Sequence, residues 1–340
     1  MIFKGTIFFS LRSKVLDFYP EKCQTNKRER VSFTEWLQKG IYNIVLINNT
    51  EIIIESSPQE IGSILLSDIE YLCNMCFEHL QESLCFNLDE RIRSDAWNIV
   101  SIYYFGFFVT QALLRLIGRP VLFINKEAIQ FLKRGTKSLQ NPGSGTYLLE
   151  KLKDLSGTTS EYRLKYYKNK IHEASWKQLF NILEGEINNN KLTAELGEIL
   201  FYKAITTKKL FRIYNNYEWP SRIRNKANYR PGYAYRLIEN IIEGKSKRLI
   251  IRWLNCNEQV IMDNLNSSIN LCIASTDNDL PGHVSLLHDI SQSLFIIFRE
   301  LYFELLNRRH LDLRMELKRK DFVKKMTLSK DHKCPLVRSL

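Results

Sequence analysis

Glycine and proline are scarce in this 340-residue chain, fourteen and eight respectively. That is too little turn chemistry for an all-β protein built from many short strands. Cysteine is sparse too. The seven cysteines, at 23, 73, 76, 85, 256, 272 and 334, are odd in number and follow no framework spacing. They point to a reduced, cytoplasmic setting rather than a disulfide scaffold. The opening MIFKGTIFFSLRSK has no basic segment ahead of a long apolar one, so no signal peptide is expected. Acidic residues are outnumbered, 37 against 49 Lys plus Arg, for a net charge of +12. The imbalance favours an acidic partner: nucleic acid, an anionic membrane surface or an acidic protein.

What is present is core material. Hydrophobic residues are 44% and charged residues 25%, which excludes a wholly disordered, collagen-like or coiled-coil chain. One apolar run stands out. Ala96–Leu114 carries no formal charge over nineteen residues, about the length of a membrane span. Asn98, Ser101, Thr110 and Gln111 interrupt it, and Arg115 and Arg119 follow, so it reads as the central helix of a soluble body rather than as a span.

Strand-like Tyr42–Ile47 and Glu51–Glu55 flank a turn-like INNT, which predicts a β-hairpin. From Pro58 the pattern is helical, opened by an N-cap, a proline and an acidic first turn at Ser57–Glu60. Helices are expected over 58–84, 91–117, 126–139, 171–188, 192–214, 257–274 and 283–307, with a short one opened by Pro220. The loop NPGSG at 141–145 reads as a helix-to-helix turn, and 156–160 as a loop. The expected architecture is mainly α: a multi-helix bundle over 58–310, a mixed N-terminal region over 1–57 with the small hairpin, and a basic tail over 311–340.

Charge is unevenly spread. Residues 203–252 hold thirteen Lys/Arg against three Asp/Glu, and 308–340 hold eleven against four. The first zone interleaves its charges with Phe211, Tyr214, Tyr217, Trp219, Tyr229, Tyr233 and Tyr235, a composition that grips phosphates and stacks on bases, or snorkels over an aromatic core. Metal and cofactor signals are weak, and no cofactor is expected. Cys73-x-x-Cys76-x-x-His79 lies on a continuous amphipathic pattern and reads as buried thiols. His283 and His288 are five apart and face different sides of a helix. The NPGSG loop fits neither phosphate-loop nor dinucleotide patterns.

The most distinctive string is WPSRIRNKANYRPGYAY at 219–235. On a helix, Arg224 and Asn228 share one face, and Asn225 and Tyr229 the next. An arginine with two amides at this spacing can hold a phosphate and orient a ribose hydroxyl. Here the chain resembles the HEPN superfamily, the helical domains of prokaryotic toxin and defence systems, whose motif is Arg, a polar residue, a short spacer and His. Arg224-Asn225 matches the opening pair. Tyr103-Tyr104-Phe105-Gly106-Phe107-Phe108, running to Gly118, resembles the family's long central helix.

The resemblance implies metal-independent RNA cleavage in a homodimer or a larger complex, with His acting on the ribose 2′-hydroxyl and Arg on the phosphate. It implies Arg224, Asn225, Asn228 and Tyr229 as catalytic positions and Arg222, Lys226, Arg230 and Arg236 as nucleic-acid contacts. The chain departs from the motif at its decisive residue: Tyr229 or Arg230 stands where His is expected, and a tyrosine pKa of about 10 does not suit a neutral-pH base. His172, His283, His288 and His310 are the candidates for a histidine supplied in space. The alternative is a non-catalytic nucleic-acid-binding or scaffold subunit, or a purely structural role for the string.

Overall fold

The computed structural model describes residues 5–21, 23–25, 31–88, 95–134, 142–156, 158–168, 170–206, 217, 219–229, 258–274, 280–308, 310–311 and 317–319. In chain order the elements are α1 (Thr6–Phe18), α2 (Phe33–Lys39), β1 (Asn43–Ile47), β2 (Glu51–Ser56), α3 (Pro58–Leu88), α4 (Asp95–Leu116), β3 (Val121–Ile124) and α5 (Lys126–Arg134). There follow β4 (Gly145–Ser156), β5 (Thr159–Tyr167), α6 (Ile171–Asn189), α7 (Leu196–Ile205), α8 (Trp219–Tyr229), α9 (Glu258–Ala274) and α10 (Leu280–Asn307).

Local chemistry sets several ends. Ser32 and Glu35 form a capping box at the start of α2, which stops at Gly40 in the left-handed region. α4 ends at Gly118, also left-handed at φ 69°, where Arg119 N–H closes onto the Leu114 carbonyl at 2.8 Å. A Cβ at Gly118 would meet the Phe18 ring at 2.2 Å, so close packing as well as φ requires glycine there.

α4 is the axis of the core. It lies against α3 and α10, with α6 and α8 also packed on it. Its segment Ala96–Leu116 is long and apolar enough to cross a membrane, yet 83% of its apolar window is buried inside the fold. Ile99, Ile102, Tyr103, Phe105, Val109, Leu113 and Leu116 pack into one continuous core.

The expectation of a helical bundle with a small N-terminal hairpin is corrected by the sheet. Alongside the helices, five strands form one antiparallel sheet in the order β1-β2-β5-β4-β3. β1 and β2 are its edge, not a separate element: β2 pairs along its length with β5, Ile52 opposite Leu164 and Ile54 opposite Tyr162. Those four side chains form the buried face. The other face carries a ladder of charges in which Arg163 pairs with Glu150 and Arg119 reaches Glu150 at 2.6 Å. The segment around NPGSG is likewise corrected: it leads into a strand, since Gly145 opens β4 opposite Ile124 of β3. β5 runs directly into α6, and this connection delivers Lys170, His172 and Glu173 to the cleft described next.

Candidate functional site

α8 exists because one side of WPSRIRNKANY is apolar. Trp219, Ile223 and Ala227 are buried toward α4, with Pro220 at the start of the helix. Burying them turns the polar residues outward over the first turn of α6. Between the two helices lies a cleft of about 660 Å³ lined by Lys170, His172, Glu173, Ser221, Arg222, Arg224, Asn225, Lys226 and Tyr229.

Arg224 is half-buried. Its guanidinium stands over the rings of Tyr103 and Tyr104 of α4, 5.4 and 5.8 Å from their centroids. Cation–π attraction holds it there. Its Nε is buried and has no hydrogen-bond partner, and no described carboxylate pairs with the guanidinium. A cation held by rings rather than by an acid keeps its charge available to an incoming anion.

His172 shares the same aromatic wall. Its ring lies 4.1 Å from Phe107 between centroids, and its Nδ1 is 2.8 Å from the Tyr103 hydroxyl, which in turn lies 3.1 Å from Ser221 Oγ. Burial, and then the nearby Arg224 charge, push the His172 pKa down to about 4, so the imidazole is neutral at pH 7. Burial raises the Tyr103 pKa to about 12, so its hydroxyl stays protonated and can hold His172 through either tautomer. With Nδ1 as donor, Nε2 presents a lone pair; with Nδ1 as acceptor, Nε2 presents a proton. No described group bonds to Nε2.

The N-terminus of α6 opens on the same cleft. Lys170 is its N-cap, without a side-chain hydrogen bond to the first turn, so backbone N–H groups and the positive end of the helix add to the cationic field. Glu173 is the one carboxylate among the lining residues.

Of the positions implied by the resemblance, Arg222, Arg224, Asn225, Lys226 and Tyr229 line the cleft. Tyr229 is 73% exposed at its rim and offers a ring face. Asn228 is exposed and is not among the lining residues. Arg230 and Arg236 lie outside the described residues. Of the four candidate histidines, His172 reaches the site. His310 Nδ1 bonds to the Cys23 carbonyl at 2.6 Å, and His283 is buried at the start of α10. His288 meets its sequence neighbour Asp289 at 2.9 Å, although adjacent helical residues ordinarily diverge; Ser268 Oγ holds the far oxygen of that carboxylate.

Tyr103 figured in the sequence only within the aromatic pattern of the central helix and Ser221 only as a member of the 219–235 string, and Lys170 and Glu173 carried no local signal. Among the described residues no group of three His, Cys, Asp or Glu is placed to hold a metal ion. Cys73 and Cys76 are buried thiols, and His79 stacks on Tyr104 and Phe108. Compared with protein-family models, with curated proteins and with solved structures, the chain matches none.

Proposed function

We propose that the α6–α8 cleft binds RNA at a phosphodiester and cleaves it by transesterification, as a metal-independent endoribonuclease. The observation that carries this reading is the convergence of a neutral His172 and an acid-free Arg224 on one cleft. His172 Nε2 takes the proton of the ribose 2′-hydroxyl. The 2′-oxygen attacks phosphorus, the O2′–P bond forms and the P–O5′ bond breaks. The departing 5′-oxygen takes a proton back from the imidazolium. The products are a 2′,3′-cyclic phosphate and a 5′-hydroxyl. Arg224 faces the charge that builds on the non-bridging oxygens. Lys170, Arg222, Lys226 and the α6 N-terminus hold the backbone, and Tyr229 stacks on a base. The resemblance over 219–235 supports the same chemistry and implies a prokaryotic defence or toxin setting, with Arg230 and Arg236 as further phosphate contacts.

A second reading is a nucleic-acid-binding or scaffold subunit that does not cut. One observation favours it: a His172 pKa of about 4 makes the free imidazole a weak base. The test is cleavage of total RNA and transfer RNA with chelator present, beside Arg224→Ala and His172→Asn. Fragments ending in cyclic phosphate, lost in both variants while His172→Asn still binds RNA, establish the enzyme. No cleavage by the unaltered protein, with binding that weakens steeply as salt rises, establishes the second reading.

A further inference from the structure

We infer that the outward rings of α4, Trp97, Tyr104 and Phe108, form with His79 of α3 a base-stacking track along which an unpaired strand runs on from the cleft. This rests on the reading of the cleft as a phosphodiester site. At 100° per residue, positions 97, 101, 104 and 108 fall within about 60° of one another around α4. That face is left uncovered. Trp97 is 68% exposed and Ser101, Tyr104 and Phe108 are half-buried, whereas the flanking Tyr103, Phe105 and Phe107 are buried. The uncovered rings lie nearly parallel. His79 is 5.3 Å from Tyr104 and 5.6 Å from Phe108 between centroids, at 19° in each case, and Tyr104 is 5.9 Å from Phe108 at 25°. Rings offset in this way are the arrangement onto which a further planar ring stacks. Tyr104 joins this face to the cleft: Arg224 stands over its ring at 5.8 Å, and His172 meets it edge-on at 6.1 Å.

Charge selects the occupant and its orientation. The α8 flank of the track carries Arg222, Arg224 and Lys226. The α3 flank carries Glu78 and Glu82, both exposed. Burial pushes the His79 pKa down, and these two carboxylates are near enough to oppose it. An anionic backbone is drawn to the first flank and repelled from the second. Phosphates therefore lie along α8, and bases point inward across the rings. Only a strand whose bases are free of a partner can present their faces in this way. Trp97 stands about 10 Å beyond Tyr104 along the helix axis, so the track reaches past the scissile phosphate to nucleotides that take no part in bond breaking.

The test reads binding alone, with a fluorescently labelled 2′-fluoro RNA strand that lacks the attacking hydroxyl and so cannot be cut. Its companion is a strand of equal length with abasic central residues. Stacking on a ring strengthens binding by roughly five- to a hundredfold per base. Fluorescence anisotropy of the full chain is therefore expected to show the base-bearing strand held about tenfold more tightly, or better. Trp97→Ala and Phe108→Ala should each remove most of that preference while affinity for the abasic strand stays the same, and Trp97→Phe should keep it. Trp97 is exposed, so Trp97→Ala should melt with the unaltered chain even where Phe108→Ala melts lower. Equal affinity of the unaltered chain for the two strands, or a preference that survives both alanine variants, overturns the track, whether or not the cleft cuts RNA. Loss of the preference in both variants sustains it, even where no RNA is cut and the non-cutting reading of the cleft holds.

Discussion

Burial against the aromatic wall, and then the nearby Arg224 charge, strip His172 of its proton and hold its pKa at about 4. This has a signature in stability. An unfolded histidine titrates at about 6.5. Between that value and about 4 the unfolded chain binds a proton that folded His172 refuses. The contribution is fully present above the unfolded value and is lost as pH falls through the folded one. Thermal melts from pH 7 to pH 4 should therefore show a declining midpoint, and His172→Asn should flatten part of that decline. In the cleavage assay, the base limb of kcat/KM in the free enzyme should rise near pH 4 and be level by neutrality. Arg224 and Asn225 were legible as a site because they sit in one charged, aromatic string. His172 was legible only as one histidine among four. Its place depends on where β5 ends and on how α8 lies across α4, neither of which is written in nearby residues.

Among the elements, α4 shows how tightly the helical part is drawn. Gly106 faces α10, where a Cβ would lie 2.1 Å from Ser291 Oγ and 2.9 Å from Ser291 Cβ. Gly106→Ala should cost about 1–3 kcal/mol, because the helices must part to admit one methyl group. Calorimetric melting measures this directly. The helices were readable since their apolar residues repeat at helical spacing and their ends carry chemistry, such as Pro58 and Gly118. β4 was not readable. Leu149, Leu152 and Leu155 recur every third residue, as on an amphipathic helix, and Leu152 and Leu155 are exposed at the outer end of the strand. Only pairing with β3 and β5 makes the segment a strand, and pairing between distant segments outweighs local pattern. β5 does alternate, Ser160, Tyr162 and Leu164 inward, but over too few residues to announce a sheet.

At the scale of the whole molecule, distant parts of the chain are fastened by buried polar contacts. Arg319 donates to Glu70, to Asn74 Oδ1 at 2.9 Å and to the Tyr302 hydroxyl at 3.0 Å, joining the segment after α10 to the middle of α3. Arg319 and Glu70 are only 6% and 4% exposed at the side chain, so removing one partner strands the other charge. Arg319→Ala should cost about 3–5 kcal/mol in denaturant unfolding, whereas an exposed ion pair such as Arg308–Glu304 should cost under about 1 kcal/mol. The strand order β1-β2-β5-β4-β3 also dictates a timetable. β1–β2 and β4–β5 are local hairpins that close within a few residues. β2 meets β5 only after the chain has passed through α3, α4, β3, α5 and β4. Closing so long a loop costs configurational entropy before any contact repays it, so the β2–β5 seam is expected to be the last seam of the sheet to form. During synthesis the isoleucine-rich edge of β2 therefore waits, unpaired, until residues beyond 160 have left the ribosome, and in that interval the nascent chain is most open to strand pairing with the wrong neighbour.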